Sequence, residues 1–317
     1  MTEIVLRILS AVLIFPGGVF AIALGLLLKG VERRLVARLQ RRIGPPLLQP
    51  FYDLAKLMQK ETFVPDLADA GLFLLTPMIG VASMSVAMAL LPMAGVYTPS
   101  AALGDLIILF YLISLPALAL MLSGSASGSP FGALGFSREM AMMLAYEGPI
   151  LLVIVSVALY VGQATGGGVT FDLVTIVRYQ INHGPLLLEW RLAPALLAYL
   201  AFIPANLGMP PFDIPEAETE LAEGPLLEYS GSSLGLLKLG AAIKAVVVTA
   251  LGITLFWPNG PAGVAGVLVF IAKHMLVVGG LALLKAGVGR MRIDQAVLFY
   301  LKWPMLLGGV ALVAVRA

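Results

Sequence analysis

The sequence predicts an all-α, polytopic membrane protein with about eight transmembrane helices and interfacial cytoplasmic helices. Three observations predict it. Of the 317 residues, 60% are hydrophobic and 12% charged, against about 25% charged in soluble domains. Mean hydropathy is +0.97, and the apolar residues fall in runs of about 20, the length that crosses a hydrocarbon core. Lys and Arg gather in alternate connections, as they do in multi-pass proteins. One soluble core could not hide this much apolar surface, so residues 1–317 read as a single membrane domain.

Eight runs qualify as spans: 4–28, 71–92, 104–123, 139–162, 192–209, 239–258, 263–285 and 295–315. The first does not read as a cleaved signal, because its leader holds Glu3 and a lone Arg7, its apolar run is too long, and no small-residue cleavage site follows. The first connection carries Lys29, Arg33, Arg34, Arg38, Arg41, Arg42, Lys56 and Lys60, and the connections on its side add Arg138, Lys238, Lys285, Arg290 and Arg292. The opposite side has Arg7, Arg178, Arg191 and Arg316. That bias predicts a cell-membrane protein with both termini on the non-cytoplasmic side.

Two connections stand out. Residues 29–70 are basic: Arg34, Arg38 and Arg42 recur every four residues, with Val31, Leu35 and Leu39 on another face. This predicts an amphipathic interfacial helix ended by Gly44-Pro45-Pro46, then a second helical stretch from Pro50 to Glu61. Residues 210–238 are acidic, with Asp213, Glu216, Glu218, Glu220, Glu223 and Glu228 and no Lys or Arg between Arg191 and Lys238. Solvated loops also carry such charges, but this stretch mixes its acids with Pro, Phe, Leu and Tyr, which a purely solvated loop would not need. The outer connection 163–191 holds a glycine run and a helical-looking 170–182, with no function assigned.

Glu147, Lys244, Lys273 and His274 fall inside spans. A charge at mid-bilayer costs about 2.5–3.5 kcal/mol on insertion scales, so such groups face an interior or a wet path. They fit either a Glu–Lys pair that fixes helix packing or a polar track for protons or ions. Other chemistry finds no support. The absence of Cys excludes disulfides and thiolate-held clusters, and two His leave little for a haem or imidazole metal site. A net charge of +2 implies no nucleic-acid partner. Gly231-Ser232-Ser233-Leu234-Gly235 matches a nucleophile elbow by letter but follows no strand. Glu147-Gly148-Pro149 echoes Glu223-Gly224-Pro225, too briefly to argue the repeats of a secondary transporter.

Longer motifs carry a resemblance. Glu32-Arg33-Arg34, Ala37 to Pro45, Leu48-Gln49-Pro50, Asp53, Lys56-Leu57 and Lys60-Glu61 resemble the first cytoplasmic connection of the eight-span membrane anchor protein of respiratory complex I. Pro211 to Glu218, Glu220-Leu221 and Glu228 to Gly231 resemble its acidic connection, and Arg138-Glu139 and Tyr146 to Pro149 its fourth span. The resemblance covers essentially the whole chain. The family includes the membrane anchors of energy-converting hydrogenases and related ferredoxin-linked complexes. The short Pro46-Leu47-Leu48 closure and the run Leu234 to Leu239 are similar to that branch.

The resemblance implies a subunit that docks a soluble redox module on the lipid bilayer and couples electron transfer to proton or sodium translocation. Its partners would be hydrogenase-like large and small subunits, an iron–sulfur subunit and antiporter-like membrane subunits. This chain would carry no cofactor, with iron–sulfur clusters and a nickel–iron centre as cofactors of the partners. The alternative is the quinone-site subunit of complex I itself, so quinone stays open. The implied coupling path comprises Glu139, Glu147, Glu216, Glu218, Glu220, Glu228, Lys238, Lys244 and Lys273. The implied docking residues are Arg33, Arg34, Arg38, Arg41, Arg42, Asp53, Lys56 and Asp213.

Overall fold

The computed structural model describes residues 2–99 and 105–316, with the side chains of residues 2–4, 218 and 219 outside the description. No strand is present among the described residues; the chain is a bundle of α-helices with two isolated bridges.

Helix α1, Thr2–Leu13, and helix α2, Gly18–Leu39, replace the single first span expected at 4–28. Pro16 has no amide to continue a helix, and Gly17 lies where a Cβ would sit 2.6–2.7 Å from the carbonyls of Ala11, Val12 and Ser85. Helix α2 then runs unbroken for 22 residues, about 33 Å. The basic stretch from Lys29 to Leu39 is therefore the end of a spanning helix and not a separate interfacial one. Nothing between Ile22 and Leu39 breaks the helix, and Gly30 is kept by close passage of the Leu47 carbonyl. The helix closes with paired backbone bonds, Arg42 N–H to Ala37 (2.7 Å) and Arg41 N–H to Arg38 (3.0 Å). Arg41 adopts φ +59° there, where glycine is the usual occupant.

Short helix α3, Gln49–Gln59, answers the expected second stretch. Helices α4, Ala70–Leu90, and α5, Leu106–Ala126, begin at Asp69 and Asp105, whose carboxylates accept first-turn amides at 2.7–3.1 Å. Helix α6, Pro130–Ala164, is 35 residues long, about 53 Å. It starts well before the expected 139, so Arg138 and Glu139 are inside the helix. Helix α7, Leu173–His183, lies in the outer connection and is capped by Asp172.

The expected span 192–209 yields only the 14-residue helix α8, Ala193–Asn206, about 21 Å. That is too short for a core of about 30 Å. Gly208, at φ +57°, turns the chain, and 207–210 line a cavity instead, where irregular backbone is tolerated at membrane depth. A four-residue helix α9, Glu218–Leu221, precedes α10, Gly231–Phe256. Helices α11, Val264–Gly287, and α12, Ile293–Arg316, follow. Counting α1 and α2 as one run, seven helical runs among the described residues are long and apolar enough to cross a membrane.

Helix α10 is the centre of the bundle, packed against α2, α3, α4, α5 and α11, with 83% of its apolar window buried. A Cβ on Gly25 of α2 would sit 2.6 Å from the Ala242 carbonyl of α10, the small-residue approach that lets membrane helices pack without a hydrophobic force between them. Helices α11 and α12 bury only 28% of theirs, so their outer faces suit lipid or another subunit. The connection 40–69 meets the end of 207–230 and the first turn of α10 at one end of the bundle: the Phe63 amide donates to Ser230 at 3.0 Å, and the Thr62 and Ser232 hydroxyls are 2.8 Å apart.

Candidate functional site

A cavity of about 510 Å³ opens at that end, between α2, α3, α4, α5, α6 and α10 and the segment 206–226. In a chain with 12% charged residues, its wall holds twelve ionisable groups, balanced in sign. The acids are Glu32, Asp53, Glu139, Asp213, Glu216 and Glu223; the bases are Lys29, Arg33, Lys238, Lys244, Lys285 and Arg290. Asn206 also lines it, and its side-chain oxygen is buried without a protein hydrogen bond, which suits solvent in the cavity.

Some of these groups are paired. Lys285 donates to Glu32 at 2.9 Å and ties α11 to α2. Arg33 donates to Asp53 at 3.0 Å and ties α2 to α3, with Gln49 donating to the other Asp53 oxygen at 2.8 Å. Arg290 donates to Asp213 at 2.7 Å. Just outside, Arg138 of α6 donates to Glu220 of α9 at 2.6 Å. Partial burial pushes the Asp53 carboxyl up, but the bonds from Gln49 and Arg33 outweigh it and hold the carboxyl below its usual range. The Arg138 hydrogen bond does the same for Glu220.

Others have no ion-pair partner among the described residues: Glu139 and Lys244, both about 8% exposed, and half-buried Glu216. They share the cavity across α6, α10 and the acidic segment. Desolvation raises the Glu216 carboxyl above its ordinary value; Lys29 and Lys244 pull it back only partly, while Asp213 and Glu223 push it further up. The backbone beside Glu216 is strained: Ala222 at φ +49° and Glu223 at φ +71° precede Gly224 at φ +52°. A left-handed conformation costs a non-glycine residue about 1–2 kcal/mol, and such outliers gather at switches and ligand clamps.

The family model described as NADH dehydrogenase matches residues 10–316. The chain belongs to the NADH dehydrogenase family. Formate hydrogenlyase subunit 4 of Escherichia coli (strain K12) is 39% identical over 277 residues, 84% of this chain and 87% of that protein. Hydrogenase-4 component C of the same organism is 36% identical over 237 residues, 74% of this chain and 72% of that protein. A chain in the solved structure of the membrane-bound sulfane sulfur reductase, an archaeal respiratory membrane complex, matches with TM-score 0.87 and 28% identity over 99% of both chains. The resemblance drawn from the motifs is met: this NADH dehydrogenase family member is a complex I-like membrane subunit, and its relatives belong to hydrogenase and respiratory complexes.

Within this family member, the residues singled out from sequence fall into three places. Glu139, Glu216, Lys238 and Lys244 line the cavity; Glu220, paired with Arg138, and half-buried Glu228 are not among its lining residues. The Glu218 side chain lies outside the described residues. Glu147 is elsewhere, about 12 Å further along α6 from Glu139. It is half-buried between Leu144 and Leu151, which are 65% and 44% exposed, so it sits at an outward face and not against Lys244. Lys273 is at the far end, roughly 20 Å along α10 from Lys244. There its ammonium donates to the Trp257 and Asn259 carbonyls at 2.6 and 2.5 Å and lies 4.6 Å from the Trp257 ring. It caps the C-terminus of α10 and does not reach the cavity.

Among the docking candidates, Arg34, Arg38, Arg41, Arg42 and Lys56 are exposed, beside Ile43 at 83% exposure. Arg33 and Asp53, whose side chains are also substantially exposed, and the more buried Asp213 stand in the cavity wall and are held in ion pairs. Sequence reasoning gave Lys29, Glu32, Lys285 and Arg290 no role in a site. The three cations looked like ordinary positive-inside anchors, and only the three-residue step from Lys29 to Glu32 on one helix hinted at a shared face. Among the described residues, no cluster of His, Cys, Asp or Glu could hold a metal ion.

Proposed function

We propose that this chain anchors the soluble redox module of an energy-converting hydrogenase or a ferredoxin-linked respiratory complex and couples its electron transfer to proton or sodium movement. The observation that carries the reading is the charged cavity: Glu139, Glu216 and Lys244, without ion pairs among the described residues, line one cavity that opens at one end of a membrane bundle. Buried ionisable groups in spans are costly and mark ion or proton pathways by default. The names of the relatives, a formate hydrogenlyase subunit and a hydrogenase-4 component, support the hydrogenase branch.

In this reading the cavity end faces the cytoplasm, as the Lys and Arg bias expects. Exposed Arg34, Arg38, Arg41 and Arg42 receive the soluble module, whose iron–sulfur clusters and nickel–iron centre do the redox chemistry. The strained turn 222–224 is the two-state element that such coupling requires. A change of charge in the docked module biases the turn, and Glu216 and Glu223 carry the change to Glu139 and Lys244. Half-buried Glu147, on the outward face of α6, passes it to an antiporter-like neighbour. The quinone alternative has less support, because the relatives are named for formate hydrogenlyase and hydrogenase-4; the cavity wall, where Leu54, Leu120, Leu226 and Leu239 stand beside the twelve ionisable residues, does not separate the two readings.

The test is redox turnover and ion gradient measured in the same vesicles, with subunit content checked. Glu139→Gln is nearly isosteric and removes the charge, so the complex should assemble but lose its gradient. Intact assembly, turnover and gradient in both Glu139→Gln and Glu147→Gln would end the coupling reading.

A further inference from the structure

One buried titratable group takes no part in the scheme above. His274 of α11 is fully buried. Its Nδ1 lies 2.8 Å from the Phe270 carbonyl and its Nε2 3.3 Å from the Val246 carbonyl of α10. Both neighbours are acceptors. A neutral imidazole has one N–H and can donate to only one of them; an imidazolium donates to both. The ring is thus built into a place where gaining a proton completes a hydrogen bond.

A second observation reaches the same place from the cavity. A smaller cavity of about 20 Å³ shares Lys29 and Glu32 with the large one and continues between α2, α10 and α11 as far as Thr249. That is room for about one water molecule. The Thr249 hydroxyl lies 3.0 Å from the Val246 carbonyl, the oxygen that His274 Nε2 also faces at 3.3 Å. Hydroxyl and ring therefore share one carbonyl as a neighbour and are at most about 6 Å apart, so the small cavity ends at the side chain next to the ring. Toward the opposite end, Lys273 closes the C-terminus of α10 against the Trp257 and Asn259 carbonyls.

We propose that His274 is a proton-loading site of this subunit, reached from the charged cavity through a one-water passage at Glu32 and Thr249. The proposal rests on the reading of the large cavity as a hydrated coupling path. Loading adds one proton from passage water to the ring nitrogen that lacks it, and the water recovers a proton from the cavity. The resulting imidazolium donates to Phe270 and Val246, and unloading returns the neutral ring. Charged groups on the surrounding elements are Lys29 and Glu32 of α2, Lys238 and Lys244 of α10, and Lys273 and Lys285 of α11. None forms an ion pair with the ring among the described residues, so their field, and not a fixed partner, sets when it loads.

The experiment reconstitutes the whole complex in vesicles and follows ion gradient per redox turnover against pH. His274→Gln keeps an amide donor for one carbonyl but cannot titrate. The expected result is assembly and turnover retained, a smaller gradient per turnover, and a flatter pH profile. An unchanged gradient and pH profile would overturn the proposal, because a ring that merely joins α10 to α11 is replaced by the amide without consequence for pH. If His274→Gln fails to assemble, Thr249→Val decides: a reduced gradient supports the passage and an unchanged one overturns it. Glu139→Gln run in parallel separates the two readings. Loss of gradient there with none in His274→Gln removes only this proposal, whereas no loss in Glu139→Gln removes the cavity reading itself.

Discussion

Lys285→Met should weaken the chain more than Glu32→Gln, although both break one ion pair. The Lys285–Glu32 bond is 2.9 Å long and joins α11 to α2 at the cavity wall. At an effective dielectric of about 20 the gross attraction at that distance is about 6 kcal/mol, and desolvation of both ions offsets much of it. Removing one partner of a buried pair costs about 3–5 kcal/mol because the other charge is stranded. The side chains are unequally stranded: Glu32 is 8% exposed and Lys285 34%. Without Lys285 the carboxylate is left inside the cavity wall with only cavity water and Lys29 one turn away to soften the loss, so about 3 kcal/mol is expected. Without Glu32 the ammonium can swing out on its long stem, and about 1–2 kcal/mol is expected. The double variant should recover part of the Lys285→Met loss, since no charge is then left alone. The assay is denaturant titration of the purified complex, followed through release of this chain. Equal losses in the two single variants, or a double variant no better than Lys285→Met, would refute the reasoning.

Three other outcomes are expected. Glu216→Gln should flatten the pH dependence of stability: a carboxyl raised above its ordinary value contributes stability below the unfolded pKa of about 4.5 and loses it as pH rises through the folded value, so parallel wild-type and variant curves across mildly acidic pH would count against it. Ala222→Gly should stabilise the observed turn by about 1 kcal/mol, because glycine accepts φ +49° without strain, and should slow coupled turnover if 222–224 is the switching element; stability and turnover of the same preparation check both. Arg38, Arg41 and Arg42 replaced together by Ala should release the soluble module from membranes, and unchanged co-purification of that module would contradict the docking role.

Most of the spanning helices were legible because each depends on local sequence alone. Apolar runs of span length fix where helices cross, whereas the N-cap carboxylates of Asp69 and Asp172 were not singled out from the sequence and came from the structure. The family was legible for a related reason: its motifs are long contiguous strings, although only the structure shows that residues of two of them line one cavity. Hydropathy assigned too much length to the segment 192–209, since it does not distinguish apolar residues that cross a membrane from those that turn back into a cavity at Gly208. Composition also divided α2 from its basic extension, because a change of residue type looks like a boundary even where no residue stops the helix.

Composition and the distribution of Lys and Arg determined that this chain lives in a bilayer, and the sequence also showed that ionisable residues fall within its spans. Which charges meet was decided only by tertiary structure. Glu147 looked like the natural partner of a buried lysine, yet Lys244 shares its space with Glu139 and Glu216, and Lys273 caps a helix at the far end. The physical reason is that an ion pair or a shared cavity depends on side chains a few ångströms apart on different helices. Their alignment follows from how α2, α6 and α10 pack through contacts such as Gly25 on Ala242. No periodicity within a single helix records that depth and rotation, so His274 and its one-water passage, built from three helices, could not be read along the chain.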